Sequence, residues 1–378
     1  MTDVDVPPIV IPADLLPSDG RFGCGPSRVR PEAVAALAEA APTYLGTSHR
    51  QPAVKNVVGS LRAGIAELFG LPEGWEVLLA NGGSTTFWDA ACFGLIDRRS
   101  LHLSYGEFSS KFAACAAAAP FLDDPVVVEA APGSHPALAA DPSVDVYALT
   151  HNETSTGVAM TPRRPTGAGA DQLVVVDATS AAGGLRWSPA DVDVYYFAPQ
   201  KCLASDGGLW LAACSPAAVE RIAMRAASDR WVPSSLDLGI ALENSRANQT
   251  YNTPALATLF LADWQVRWLN ASGGLDWAAG RCDESAGVIY GWADASSFAS
   301  PYVREPAQRS TVVATIDFDG AVSADVVAKV LRANGIVDTE SYRKLGRNQL
   351  RIALFPATDP SDVAALTRCI DHVVAALG

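Results

Sequence analysis

The chain is 378 residues long, about half of it hydrophobic, with 41 acidic residues against 28 basic ones. That length and composition bury a large core and leave room for two domains. The acidic balance excludes nucleic acid and anionic membranes as general partners, so an anionic ligand requires a local basic pocket.

The opening stretch, MTDVDVPPIVIPADLL, has no positively charged start and carries prolines where a signal peptide has its apolar core, so no secretory signal is expected. Apolar stretches such as Phe112 to Leu122 fall short of the roughly 20 residues a membrane helix needs. The seven cysteines, Cys24, Cys92, Cys115, Cys202, Cys214, Cys282 and Cys369, form no C-x-x-C pair. They read as thiols of a reduced, cytoplasmic protein with no metal site.

Residues 1–20 read as a proline-rich arm. Gly23-Cys24-Gly25 lacks both a preceding strand and a third glycine, which rules out a dinucleotide fingerprint. Pro31 suits the first turn of a helix through Ala41. Val54, Val57, Val58, Leu61, Ile65 and Leu68 share one helical face, stopped by Gly70, with His49 and Arg50 in the loop before it. The strand WEVLLA then enters NGGSTTFWDAACFGLI, a glycine turn opening a helix, where backbone N–H groups with Ser84 and Thr85 can cradle a phosphate. After the strand LHLS, a helix carries Phe108 near its start. The strands PVVVEA and VDVYALT follow, the second ending in HNETSTG, where Asn152 and Thr154 suit a turn.

Four consecutive apolar residues, Leu173 to Val176, read as a buried strand that delivers Asp177 at its carboxyl end. A second run, Val192 to Phe197, delivers Lys201 just beyond its end, before SDGG and the strand LWLAAC. Ligands gather outside the carboxyl ends of strands in open α/β sheets. A carboxylate and an amine presented there match the needs of pyridoxal phosphate, an amine to bond its aldehyde and an acid to keep its ring nitrogen protonated.

Asp-Ala-Thr-Ser at 177–180 followed by Ala-Pro-Gln-Lys at 198–201 resembles the phosphoserine aminotransferases, fold-type I pyridoxal phosphate enzymes. The likeness runs from Arg21 to the end, with its motifs in family order. It implies an α/β fold in which a large domain with a mostly parallel sheet (21–267) carries a smaller C-terminal α/β domain (268–378). It implies Lys201 and Asp177 as catalytic residues. Around the cofactor it implies Gly83, Ser84 and Thr85 at the phosphate with Gln200, Phe108 over the ring, and Thr154 at the ring hydroxyl. Asn252 and Thr253, ahead of Pro254, are implied to reach the partner's cofactor phosphate in a homodimer with shared sites. The Ser-His-Arg ending at Arg50 resembles a substrate-binding element, which brings in His49 as well. Phe108 replaces a common tryptophan and Cys202 a common asparagine.

Beyond Ser215-Pro216, an N-cap and first helical residue, Pro254 is expected to open a helix. A helix rich in Ala and Trp is expected to end near Ser297. The strand TVVATIDF, the helix SADVVAKVLRANG, the strand QLRIALF and a final helix complete the small domain. The basic run YRKLGRNQLR holds Arg343, Lys344, Arg347 and Arg351. In so acidic a chain it reads as an anion pocket, because guanidinium forks grip carboxylates and phosphates. The resemblance places Arg351 at the substrate α-carboxylate and Arg343 at its phosphate, with Tyr342 where a histidine is usual.

The implied reaction transfers the amino group of glutamate to 3-phosphohydroxypyruvate, giving O-phosphoserine and 2-oxoglutarate in serine biosynthesis. The family also acts on the phosphohydroxythreonine pair of vitamin B6 synthesis. Two other readings use the same residues: another fold-type I enzyme, such as a small-substrate aminotransferase or a cysteine desulfurase, or a non-catalytic nucleotide-binding α/β protein. Desulfurases usually have a histidine where this chain has Gln200.

Overall fold

Val174 and Val176 pack on one side of their strand while Leu173 and Val175 pack on the other, and all four are buried. Alternation with no polar face is the mark of a strand covered on both sides. The computed structural model describes residues 7–378, so the first six residues of the expected arm lie outside the described residues.

Along the chain, α1 (Pro31–Tyr44) and α2 (Pro52–Leu68) lead to β1 (Glu76–Asn81), α3 (Ser84–Gly94), β2 (Ser100–Ser104), α4 (Glu107–Ala118) and β3 (Val126–Glu129). Then come β4 (Val146–Thr150), a short hairpin of β5 (Asn152–Glu153) and β6 (Val158–Ala159), β7 (Leu173–Asp177), β8 (Val194–Phe197) and β9 (Leu209–Cys214). The helices α5 (Pro216–Ala226), α6 (Leu238–Arg246), α7 (Leu256–Ser272) and α8 (Gly274–Ala295) precede β10 (Ala299–Pro301), β11 (Val313–Phe318), α9 (Ala324–Ala333), β12 (Gln349–Ala353) and α10 (Pro360–Leu377).

Seven strands form the main sheet in the order β1-β9-β8-β7-β4-β2-β3, and β9 alone runs against the rest. Residues of α2 and α7 cover one face, and residues of α3, α4, α5 and α6 cover the other. Fully burying one such valine or leucine is worth about 1.5–3 kcal/mol, so the sheet's two cores dominate its stability. The second sheet, β10-β11-β12, is antiparallel and packs against α8, α9 and α10. Ile9, Ile11, Leu15, Leu16 and Phe22 join that smaller core.

Some boundaries differ from expectation. α1 runs past Ala41 to Tyr44 through Pro42, close enough to the helix end that one lost N–H bond is tolerated. α7 starts at Leu256, two residues after Pro254, and runs through the boundary expected at 267/268. The Ala- and Trp-rich stretch is split at Gly273, whose φ of 122° lies outside the helical region and which ends α7 just before α8 begins at Gly274.

Candidate active site

Six of the seven main strands share a direction, so their carboxyl ends open on one edge, and five of these ends supply the site. β1 leads through Gly82-Gly83 into α3, β2 leads into α4, β4 leads into the Asn152–Thr154 turn, β7 ends on Asp177, and β8 precedes Lys201. Gly83, Ser84, Thr85, Trp88, Phe108, Thr150, Asn152, Thr154, Asp177, Thr179, Gln200 and Lys201 together line one cavity of about 160 Å³.

Lys201 Nζ donates to the carbonyl of Cys24 at 2.6 Å. Burial pushes this amine down to about 8, with Arg351 acting in the same direction. The backbone has to pass close to it, because at Gly25, with φ +142°, a Cβ would strike Nζ. Asp177, which lines the same cavity, is buried. Its Oδ1 accepts from the Thr179 backbone N–H at 2.9 Å and from Thr179 Oγ1 at 2.5 Å, and its Oδ2 accepts from Trp88 Nε1 at 3.2 Å. Burial pushes the Asp177 carboxyl up, and the bonds from Thr179 and Trp88 oppose that shift. Thr154 Oγ1 donates to Ser180 Oγ at 2.7 Å, and Asn152 Nδ2 donates to the same oxygen at 2.8 Å.

Arg351, in the alternating strand β12, donates from Nη1 to the carbonyl of Thr154 at 3.3 Å and lies 5.2 Å from the ring centre of Tyr342. Its Nε is buried without a partner.

Residues 23–340 match the family described as Aminotransferase class-V. The chain belongs to the class-V aminotransferases. It is 61% identical over 369 residues to a phosphoserine aminotransferase of Rhodococcus jostii strain RHA1, covering 98% of this chain and 99% of that relative. To the phosphoserine aminotransferase of Rhodococcus opacus strain B4 it is 60% identical over the same length, with the same coverage. The fold is similar to that of a phosphoserine aminotransferase from Cytophaga hutchinsonii, with a TM-score of 0.85 at 23% identity, covering 93% of this chain and 99% of that one.

This class-V aminotransferase is a pyridoxal phosphate enzyme, and the cavity residues fit that cofactor. Asp177 is a buried carboxylate held by neutral donors, with no salt bridge to it among the described residues, a setting that a protonated ring nitrogen completes. Gln200 Oε1 is buried without a partner, and the first backbone N–H groups of α3 have no side-chain cap from Gly83. Such a helix start suits a phosphate.

The remaining expected residues fall into two groups. Arg343 lines a second, more open cavity with Cys24, Gly25, Tyr342 and Arg351, next to Lys201. His49, Arg50, Asn252 and Thr253 do not line the Lys201 cavity. They gather elsewhere on the same chain, with a 3.2 Å contact between His49 Nδ1 and Thr253 Oγ1, while Arg50, Asn252 and Thr253 are exposed.

The sequence reading missed Trp88, Thr179 and Ser180. Signals for two of them were present: Trp88 lies one helical turn after Ser84, on the face that turns toward the site, and Thr179 stands two residues after Asp177, where an Asx turn places a donor.

Proposed function

We propose that this class-V aminotransferase moves the amino group of glutamate to 3-phosphohydroxypyruvate, yielding O-phosphoserine and 2-oxoglutarate in serine biosynthesis. One observation carries the reading: of the basic run, Lys344 is tied to Glu107 at 2.5 Å and Arg347 to Asp317 at 2.5 Å, whereas Arg343 and Arg351 have no salt bridge among the described residues and line the cavity walled by Cys24, whose carbonyl receives the Lys201 amine. Two guanidinium groups there suit a substrate that carries both a carboxylate and a phosphate. The 61% identity to a phosphoserine aminotransferase supports the same reading.

When bound, pyridoxal phosphate supplies an aldehyde that bonds to amines and a ring that takes up the electron pair of a broken Cα–H bond. The chain's own residues do the rest. Lys201 Nζ carries the proton to and from the substrate Cα, which a neutral amine near physiological pH can do. Asp177 would keep the ring nitrogen protonated. Gly83, Ser84, Thr85 and Gln200 would hold the cofactor phosphate, and Phe108 and Thr154 would hold the ring. Arg351 takes the substrate α-carboxylate and Arg343 its phosphate.

The test uses the purified holoenzyme without keto acid, mixed separately with glutamate, O-phosphoserine and serine, while the visible spectrum of the cofactor is followed. Glutamate and O-phosphoserine are expected to convert it rapidly, and serine is not. Conversion by glutamate alone would leave an aminotransferase but remove the phosphoserine assignment. A parallel arm with phosphohydroxythreonine tests the extension to vitamin B6 synthesis, since that substrate presents the same two anionic groups. A cytoplasmic location is part of the proposal, supported by seven cysteines that are all free thiols and checked by cell fractionation.

The position of His49, Arg50, Asn252 and Thr253 outside the chain's own cavity supports a homodimer in which they complete the partner's site. Mixing inactive Lys201→Ala and inactive Arg50→Ala chains by refolding them together is expected to restore about a quarter of wild-type activity, because half the dimers are hybrids with one intact site each. Persistent inactivity of the mixture would place Arg50 and Lys201 in the same chain's site.

A further inference from the structure

Glu153 is wholly buried, with no exposed surface, and no lysine, arginine or histidine pairs with it among the described residues. Its carboxylate instead collects donors. Oε2 accepts from the backbone N–H of Phe108 at 3.1 Å and of Ser109 at 2.9 Å, and from Ser109 Oγ at 3.0 Å. Oε1 accepts from the backbone N–H of Ser155 at 3.2 Å and from Ser155 Oγ at 2.7 Å. Phe108 and Ser109 belong to the first turn of α4, whose own N-cap is Gly106, a residue with no side chain to offer. Glu153 thus caps α4 from a turn more than forty residues further along the chain, with its charge at the positive end of the helix. The fit leaves no slack: a Cβ on Gly106 would run into Cγ and Cδ of Glu153.

The two segments that this carboxylate joins both face the cofactor cavity. Phe108 lines it from α4, and Thr154, the next residue after Glu153, lines it from the turn. We infer that Glu153 is a positioning residue for the aminotransferase, one whose carboxylate sets the distance between Phe108 and Thr154 and so the width of the slot that takes the cofactor ring. The charge matters as well as the shape. The backbone N–H groups of Phe108 and Ser109 point at one oxygen and that of Ser155 at the other, so an amide in its place turns its N–H₂ against one of these sets and removes that set's acceptor.

This inference rests on the Lys201 cavity being the cofactor site, and the experiment separates the two. Release of pyridoxal phosphate from purified holoenzyme is followed by absorbance during dialysis, for wild type, Glu153→Gln, Phe108→Ala, the double variant and Lys201→Ala, with thermal denaturation of each. Glu153→Gln is expected to release cofactor about tenfold faster or more, and to change the induced circular dichroism of the bound cofactor. Phe108→Ala is expected to speed release as well, and the double variant to be no faster than Phe108→Ala alone, because Glu153 acts through Phe108. If Glu153→Gln fails to fold, Ser109→Ala removes one donor to the same carboxylate and is expected to show a smaller change in the same direction. Cofactor retention and circular dichroism like wild type, with only a lower melting temperature, would reduce Glu153 to a structural cap and overturn the inference, as would independent, multiplying effects in the double variant. Unchanged cofactor retention and spectrum in Lys201→Ala would overturn the cavity assignment itself, and the role of Glu153 with it.

Discussion

Replacing Lys201 by alanine is expected to slow amino transfer by roughly 10²–10⁴-fold, the contribution typical of a positioned proton carrier, and to let the cofactor dialyse away. Among the described residues, Lys201 Nζ is the amine that lines this cavity and meets the Cys24 carbonyl, and its basic neighbour Arg351 offers a guanidinium fork instead of an amine. The measurement is the half-reaction with glutamate, read by absorbance at saturating pyridoxal phosphate. A variant that retained a tenth of wild-type rate would remove Lys201 from the chemistry. A pH dependence accompanies this role. Burial holds the free amine at about 8, and only its neutral form attacks an aldehyde. Stripped of cofactor, the wild-type protein is therefore expected to recapture it with a rate that rises roughly tenfold per pH unit below about 8 and levels off above it. A flat profile across that range would mean that the amine is already neutral throughout.

Asp177→Asn is expected to have the second large effect, a loss of roughly 10²–10³-fold in the same half-reaction. Two causes add. The neutral amide no longer keeps the ring nitrogen protonated, so the ring accepts electrons poorly. The amide N–H₂ also meets either Trp88 Nε1 or the Thr179 donors, all of which now point at Asp177 oxygens, so the side chain is misaligned. Single-turnover rates with glutamate at saturating cofactor isolate the chemical step from weakened cofactor binding. Rates within twofold of wild type would show that Asp177 is a structural acid only.

The centre of the site was legible because its residues are delivered by short, strongly patterned elements. Four apolar residues in a row announce a buried strand, and Asp177 follows them directly. The same logic delivers Lys201 after Val192 to Phe197, and the glycine turn before Ser84 announces a helix start. The placement of Arg351 in a strand was also legible, since it is the one basic residue of its run that falls in an alternating stretch. What escaped depends on distance across the fold. Glu153 reads as an ordinary turn residue, since a charged side chain between Asn152 and Thr154 has every reason to be solvated, and its donors lie on a helix that no spacing connects to it. The group formed by His49 and Thr253 joins residues some two hundred positions apart, and neither has a local pattern that points to the other. Helix ends were misjudged where backbone exceptions decide them, as at Pro42 and Gly273.

The segment from Gly20 to Ser27 stitches the two ends of the chain to the middle. Val337 N–H donates to the Gly20 carbonyl, Phe22 N–H to the Val337 carbonyl, and Ala353 N–H to the Phe22 carbonyl, all within 3.2 Å. A few residues later, Ser27 N–H reaches the Gln200 carbonyl at 2.8 Å and Ser27 Oγ the Lys201 carbonyl at 2.6 Å, with Cys24 receiving the Lys201 amine between them. These bonds cannot all form until residues 337 to 353 exist. During synthesis the ribosome releases the partner strands for this segment only after the whole stretch between residues 27 and 337 has followed the segment itself. The main sheet can assemble while the chain is still growing, but the wall behind Lys201 waits for the carboxyl-terminal strands. A ribosome that stalls or terminates early therefore leaves a chain with a nearly complete large core and an unfinished site.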